Sequence, residues 1–334
     1  MAEDHEKLPL LITTHGAHLH RQSLYSLVDR RCKTTEIPIM HCKRILGSSH
    51  GWLVLVSLIT GNSFLWNPIS MREIDLPCLH RPSDYNRCVL TGPPTEPNCH
   101  VIFCSTDYEE RTVFRVGDGT TVCLPPGEAG GGVVLVALAS FRGETYGVVD
   151  TDDGEYEFVT VHVVDGGVEF RPLLDEFGQT LEVPISRRMN VKWQESHLIE
   201  APGGRGLLLV MKFFKGSILA DSVEFKVFRL EVADGPVECV ELNSVDEWTI
   251  FINYFGRGFC RISSSERRVT RPNSIYYTDK IGRAVKIYDL GERSTTVLMP
   301  FRYAGRCLSV CYWVDIPDIP ELEPEPEIEP ELEP

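Results

Sequence analysis

The 334-residue chain has no apolar run near the roughly eighteen residues that a membrane-spanning helix needs. Its first residues, Met-Ala-Glu-Asp-His-Glu-Lys, lack the basic flank and hydrophobic segment of a secretory leader and the Arg- and Ser-rich character of a transit peptide. There is no Asn-x-Ser/Thr glycan acceptor, no Cys-x-x-Cys pair and no Gly-x-Ser-x-Gly elbow. These absences argue against an exported glycoprotein, a zinc ribbon, a thiol redox motif and an α/β-hydrolase nucleophile. There is also no basic run. Nine carboxylates lie in the tail from Asp315 onward, so the rest of the chain carries −6 of the net charge of −15. A mildly acidic body is a poor partner for nucleic acid. The expectation is a protein of the cytoplasm or nucleus that binds neither nucleic acid nor membrane.

Eleven cysteines are present, at positions 32, 42, 78, 88, 99, 104, 123, 239, 260, 307 and 311. The number is odd. Cys99/Cys104 and Cys307/Cys311 could offer ligand pairs, but no second His or Cys pair follows at finger spacing. Free thiols acting as small hydrophobes in a reducing compartment account for them. No metal or cofactor is expected.

What is abundant is short apolar strand patterns separated by turn residues. The clearest stretch is 46–77. Trp52 to Leu58 reads as a strand buried on both faces. Thr60-Gly61-Asn62-Ser63 is a turn, Phe64-Leu65-Trp66 a second strand ended by Asn67-Pro68, and Arg72 to Leu76 a third stopped by Pro77. The second half of this unit recurs in degenerate form. It returns as Phe114-Arg115-Val116 with Val122–Leu124, as Phe228-Arg229-Leu230 with Val240–Leu242, and as Val285–Leu290 with Val297–Met299. Hairpins of this kind cannot bury their apolar faces alone. A period of roughly forty to fifty residues is that of four-stranded blades, so the expected fold is all-β: a β-propeller of about six or seven irregular four-stranded blades.

The rest of the chain fits this scheme. Residues 1–9 are polar and expected to be disordered. Leu10–Thr14 and Leu24–Asp29 read as strands, and Ile37-Pro38-Ile39 closes the first unit. The stretch 79–97, rich in Pro, Arg and Asn, reads as a long rim loop of the kind that carries binding. Val101–Ser105 and Thr112–Val116 form a hairpin, and Gly127–Gly132 a flexible turn. Val133–Ala139, Glu144–Val149, Tyr156–Val164 and Val168–Leu173 make one whole blade. Asp175–Glu195 reads as a rim excursion. His197–Glu200, Gly206–Phe214, Val223–Leu230 and Val237–Leu242 make another blade, and Trp248–Tyr254 resumes with an apolar strand. Ser263–Asn273 reads as an exposed loop, and Ile275–Asp279 with Val285–Leu290 as a further hairpin. The last strand, Cys307–Val314, is too apolar to remain an open edge. Ring closure through contacts between residues 10–28 and 307–314 is therefore expected. From Pro317 to Pro334, proline density and like charge predict an extended, disordered tail.

Several segments invite chemistry. His15, His18 and His20 could bind metal, but no carboxylate or cysteine is interleaved, and a solvated turn explains them. Asp150-Thr-Asp-Asp-Gly154 lacks the distal Glu of a calcium loop and fits an Asp-Gly hairpin. Gly130–Gly132 precedes a strand and no helix, unlike a phosphate loop. Gly256-Arg-Gly-Phe-Cys-Arg261 is a single short basic tract and reads as a turn. Ser49-His50 and Ser196-His197 are neighbours in sequence, which a strand points to opposite faces. No catalytic, cofactor-binding or metal residue is assigned, and the binding residues stay open.

The run Leu46-Gly-Ser-Ser-His-Gly-Trp-Leu-Val54, with Phe64-Leu-Trp-Asn-Pro68 and Ile74-Asp-Leu-Pro77, resembles the signature of the KIB-type β-propeller domain of plant F-box proteins. Leu24-Tyr-Ser-Leu27 and Asn273-Ser-Ile-Tyr-Tyr-Thr-Asp279 support it, and the resemblance covers roughly residues 10–316. It implies a propeller that recruits a protein substrate while a preceding F-box docks on the Skp-type adaptor of a cullin ubiquitin ligase. Some relatives are associated with glycogen-synthase-kinase-like targets. Here about nine residues precede the first strand, far fewer than the helical F-box module, so adaptor docking by the usual route is not expected. Ser244–Trp248 also departs from the family's Gly-Asp before an aliphatic strand. The expected function is a non-catalytic module that binds an as yet undefined protein ligand. The alternatives are an enzyme at the central channel, which needs paired carboxylates at one mouth, and a decayed paralogue.

Overall fold

The computed structural model describes residues 9–314, apart from 16–18, 28–29, 58, 106–110, 118–120, 125–132, 152, 165–166, 186–193, 205, 215–222, 233–236, 254–257, 264–269, 279–283 and 301–309. The Gly127–Gly132 turn, most of the N-terminal segment and the acidic tail lie outside the described residues.

Among the described residues, twenty-five strands form six sheets. The chain opens with β1 (Leu10–His15), β2 (Arg21–Ser26) and β3 (Arg31–Thr35). The second sheet is β4 (Lys43–Ser49), β5 (Trp52–Ser57), β6 (Ser63–Asn67) and β7 (Arg72–Leu76). The third is β8 (Arg87–Leu90), β9 (His100–Cys104), β10 (Arg111–Arg115) and β11 (Thr121–Leu124). The fourth is β12 (Val134–Phe141), β13 (Glu144–Asp150), β14 (Tyr156–Val164) and β15 (Gly167–Pro172). The fifth is β16 (Gln194–Glu200), β17 (Leu207–Phe214), β18 (Val223–Glu231) and β19 (Glu238–Leu242). The sixth holds β20 (Trp248–Ile252), β21 (Phe259–Ile262), β22 (Ser274–Thr278), β23 (Ala284–Asp289) and β24 (Ser294–Pro300). The last strand, β25 (Val310–Val314), pairs antiparallel with β1 and completes the first sheet in the order β25-β1-β2-β3. The fold is a six-bladed β-propeller whose ring closes between the two ends of the described chain, as the sequence predicts.

The inner strands touch around the axis: β25 meets β4, β4 meets β8, β8 meets β12, β12 meets β16, and β16 meets β21. The core lies between neighbouring blades. Leu46, Val54 and Leu65 of the second sheet pack on Phe103 and Phe114 of the third. Leu208, Val210 and Phe225 of the fifth pack on Ile250, Ile275 and Tyr277 of the sixth. Each sheet is therefore covered on both faces, which is why β5 and β17 are buried along their whole length and largely apolar rather than alternating.

The strand predictions hold for most elements, with a few exceptions. Residues 79–97 are not one exposed loop: Arg87–Leu90 is the inner strand β8, and Leu79 and Tyr85 are buried. The Arg44 guanidinium donates to the carbonyls of Pro82 and Tyr85, and the Tyr85 hydroxyl meets Thr112 Oγ1 at 2.7 Å. The opening motif begins a strand earlier than Leu46, because β4 starts at Lys43. Ile37-Pro38-Ile39, read as closing the first unit, follows its outer strand. Pro38–Met40 is a single 3-10 turn, and the outer strand is the polar β3. The strand read at Leu24–Asp29 is β2, Arg21–Ser26. Phe259–Arg261 is not a turn; it belongs to β21.

The sixth blade is irregular. Its order is β21-β20-β22-β23-β24, with β20 and β22 parallel. Ile250 and Ile252 of β20 pack with Ile199 of β16, the inner-strand position. β21 is hydrogen-bonded to β20 alone and lies on its axial side, against β16. The sequence pattern did not announce this extra strand.

Candidate functional site

The opening motif builds one lip of a cleft at the mouth of the axis. β4 and β5 pair Ser49 with Trp52, which leaves a two-residue turn. His50 and Gly51 fill it with φ of 52° and 77°. Positive φ at both central positions is the type I′ requirement, which glycine meets freely and histidine tolerates. Arg142-Gly143 makes the equivalent turn between β12 and β13. Gly47 sits beside a bulge in β4, and a Cβ there would come within 2.4 Å of Cys88 Sγ on β8. It is glycine because two inner strands meet at that point. Asn67 Oδ1 accepts from the backbone N–H groups of Ile69 and Ser70 at 3.0 and 2.9 Å, so Asn67-Pro68 ends β6 in a side-chain-closed turn.

The cleft has a volume of about 320 Å³. Three segments from three blades line it: Ser48–Leu53, Glu200–Gly203 and Gly258–Arg261. His50 and Glu200, 150 residues apart, share its wall with Ser48, Ser49 and Arg261. Glu200 is exposed, and Arg261 and Cys260 are half-buried. Burial pushes the Cys260 thiol up to about 12, so it is not a thiolate nucleophile at neutral pH. The cleft therefore offers polar and singly charged groups of both signs beside Trp52 and Phe259. That suits hydrogen-bonded recognition of an extended polar ligand. A glycosidase-type mouth needs two carboxylates, and Glu200 is the one carboxylate among the lining residues.

At the opposite end of β16 lies a buried charged cluster. Lys212 Nζ is 3.1 Å from Glu195 Oε2, and both side chains are at most 10% exposed. The ammonium also lies 4.8 Å from the Phe214 ring and 5.1 Å from that of Tyr277. The Arg87 guanidinium is brought down to about 10 by burial, while the Glu195 carboxylate opposes that shift. Arg87 as a residue is only half-buried, so it is the guanidinium that is enclosed. Glu195 Oε1 and Arg87 Nη1 are both buried with no hydrogen-bond partner among the described residues. A lysine inside the apolar run Leu207–Phe214 was a signal for this cluster. Its partner was hidden because Glu195 fell in the segment read as a rim excursion.

The other candidates resolve as local structure. His15 Nε2 meets Ser23 Oγ at 2.7 Å, and burial with the nearby Arg21 charge holds its pKa below the ordinary value. His20 and His41 are in edge contact, and His18 lies outside the described residues. No group of three His, Cys, Asp or Glu side chains among the described residues is placed to hold a metal. The 150–154 segment is a hairpin turn, with the Gly154 N–H donating to the Thr151 carbonyl at 2.8 Å and Gly154 at φ 73°. Ser196 and His197 are consecutive and buried in β16, and His50 stands in a turn rather than on a strand face. The tract read as basic contributes Arg261 to the cleft, while Arg257 lies outside the described residues.

A family model described as the KIB1-4 β-propeller matches residues 24–296. No curated protein matches the chain in sequence. Solved structures align with the chain at low identity. TolB from Acinetobacter baumannii aligns with a TM-score of 0.45 and 12% identity, over 92% of this chain and 66% of its own. The periplasmic gluconolactonase PpgL of Pseudomonas aeruginosa aligns at 0.46 and 10%, over 93% and 100%. A nidogen/laminin complex contains a chain that aligns at 0.44 and 12%, over 91% and 96%.

Proposed function

This chain belongs to the KIB1-4 β-propeller family, and on that premise we propose that it is a non-catalytic module that holds a protein ligand at the cleft lined by Ser48–Leu53, Glu200–Gly203 and Gly258–Arg261. The observation that carries the reading is the composition of that cleft. Backbone turns from three blades converge there with one carboxylate, one guanidinium and two partly apolar walls. Rim loops on a rigid scaffold are suited to recognition. The resemblance to the substrate-recruiting propeller of plant F-box proteins points the same way. On this reading the propeller supplies ligand recruitment alone, and adaptor docking belongs to other parts of such proteins.

The test is proximity labelling in cells with the full chain and with Glu200→Lys and Arg261→Glu. Both positions have solvent access, so the thermal midpoint should stay at the wild-type value. A ligand held at the cleft should lose about tenfold or more of its labelling in at least one variant, as expected when a contact near the centre of an interface changes sign. Identical labelling by all three proteins would sink the assignment.

A further inference from the structure

The first sheet places a cationic edge within reach of the chain's own acidic tail. Residues Val314, Leu10, Ser26 and Arg31 stand in one row across β25, β1, β2 and β3. Three strand spacings separate the two ends of that row, about 14 Å. The tail leaves β25 at one end of it. At the other end are Arg30 and Arg31, with Lys33 two residues further along the same face of β3. All three are exposed, and none forms an ion pair with a described residue. Glu36, the nearest described carboxylate along the strand, stands past its far end, 3.8 Å from Arg21.

The segment 315–334 carries nine carboxylates and no basic residue. At about 3.1 Å per residue for a proline-rich chain, some five residues span the row. Glu321, Glu323 and Glu325 then come into reach of Arg30, Arg31 and Lys33. A tether this short gives an effective concentration on the order of millimolar. The opposed charges need only a modest attraction to bring the two together.

We propose that residues 315–334 fold back across β3 and lie against Arg30, Arg31 and Lys33. The contact is held by charge. Proline at this density cannot extend the ladder, so the tail covers the outer edge of the sheet without becoming a strand. It thereby shields an unpaired edge from pairing with another chain.

β3 carries its own reporter. Cys32, between Arg31 and Lys33 on the outermost strand but on its opposite face, is an exposed free thiol that reports whether the edge is covered, and the exposed Cys78 on another blade serves as the reference. The full chain is alkylated with uncharged N-ethylmaleimide and the two sites are followed by mass spectrometry. Cys32 should react about three- to tenfold more slowly, relative to Cys78, than in a variant with all seven tail glutamates changed to Gln. One molar salt should abolish the difference, since surface charge pairs are weak and screened. A second measurement does not depend on the thiol. In Arg31→Glu/Lys33→Glu, a Glu-specific protease should cut the tail several-fold faster than in wild type. Equal Cys32 rates with and without the tail charges, or equal tail cleavage, overturn the proposal. Protection that grows with protein concentration overturns it too, because the tail on β3 is then that of a second copy.

Discussion

Lys212 stands in the run Leu-Leu-Leu-Val-Met-Lys-Phe-Phe with 2% of its side chain exposed, so its charge is answered inside the protein. Glu195 sits across the register from it on β16, and the two aromatic rings cover the ammonium. Such a pair contributes little net stability, because desolvation offsets the attraction, but breaking it strands a buried charge. Lys212→Met should therefore destabilise the protein by about 3 kcal/mol or more in chemical denaturation, and Lys212→Met/Glu195→Leu should recover only part of the loss, because it takes the nearby carboxylate from the enclosed Arg87 guanidinium. Equal losses in the single and double variants would show that the lysine matters through packing alone. At this same scale, the motif Gly47-Ser-Ser-His-Gly-Trp52 is legible only after the fold is known. Its glycines and histidine answer to a close strand approach and to two positive φ angles.

Whole strands were legible where mostly apolar runs were bracketed by turn residues, as in β5, β12 and β17. The sequence also placed the four strands of the fourth and fifth blades and the closing pair. It hid β3, whose outer position leaves it polar, and β8, whose four residues are hemmed by Pro, Arg and Asn. It hid β21 because a strand inserted on the axial side of a blade breaks the repeat. The cleft was illegible for a related reason: Glu200 and Arg261 meet His50 only once three blades converge. One consequence of the irregular sixth blade can be tested. Asn253 directly follows β20, and its side-chain amide does what a strand neighbour would do. Its Oδ1 accepts from the backbone N–H of Trp313 at 2.5 Å and its Nδ2 donates to the Trp313 carbonyl at 3.2 Å, with the side chain buried. Asn253→Ala takes this partner from the buried N–H and carbonyl of Trp313. The expected cost is about 2–4 kcal/mol, from two unmet buried groups. Urea denaturation measures it, and a loss below about 0.5 kcal/mol, within the range of ordinary surface substitutions, would show that the clasp is replaceable.

A propeller is a ring of sheets, each stabilised by its two neighbours, so its weakest joint is where the first and last strands meet. Here that joint is β25 on β1, with Tyr312, Trp313 and Val314 buried against Leu11, Ile12, Tyr25 and Phe251. Burying side chains of this size contributes about 1.5–3 kcal/mol each. Three of them account for several kcal/mol, comparable with the whole 5–15 kcal/mol stability of a typical domain. Removing β25 also leaves the edge of β1, rich in apolar residues, without a partner in the middle of a core. A chain ended after Ser309 is therefore expected to lose its cooperative unfolding transition, to bind hydrophobic dyes and to aggregate. A chain ended after Ile316 keeps the joint and loses only the charged tail. Its unfolding free energy in denaturant should stay within about 1 kcal/mol of the full chain, since exposed charge pairs contribute no more than that. Calorimetry on the three chains separates the outcomes. A cooperative transition in the shortest one would mean that the other five sheets hold the ring without β25.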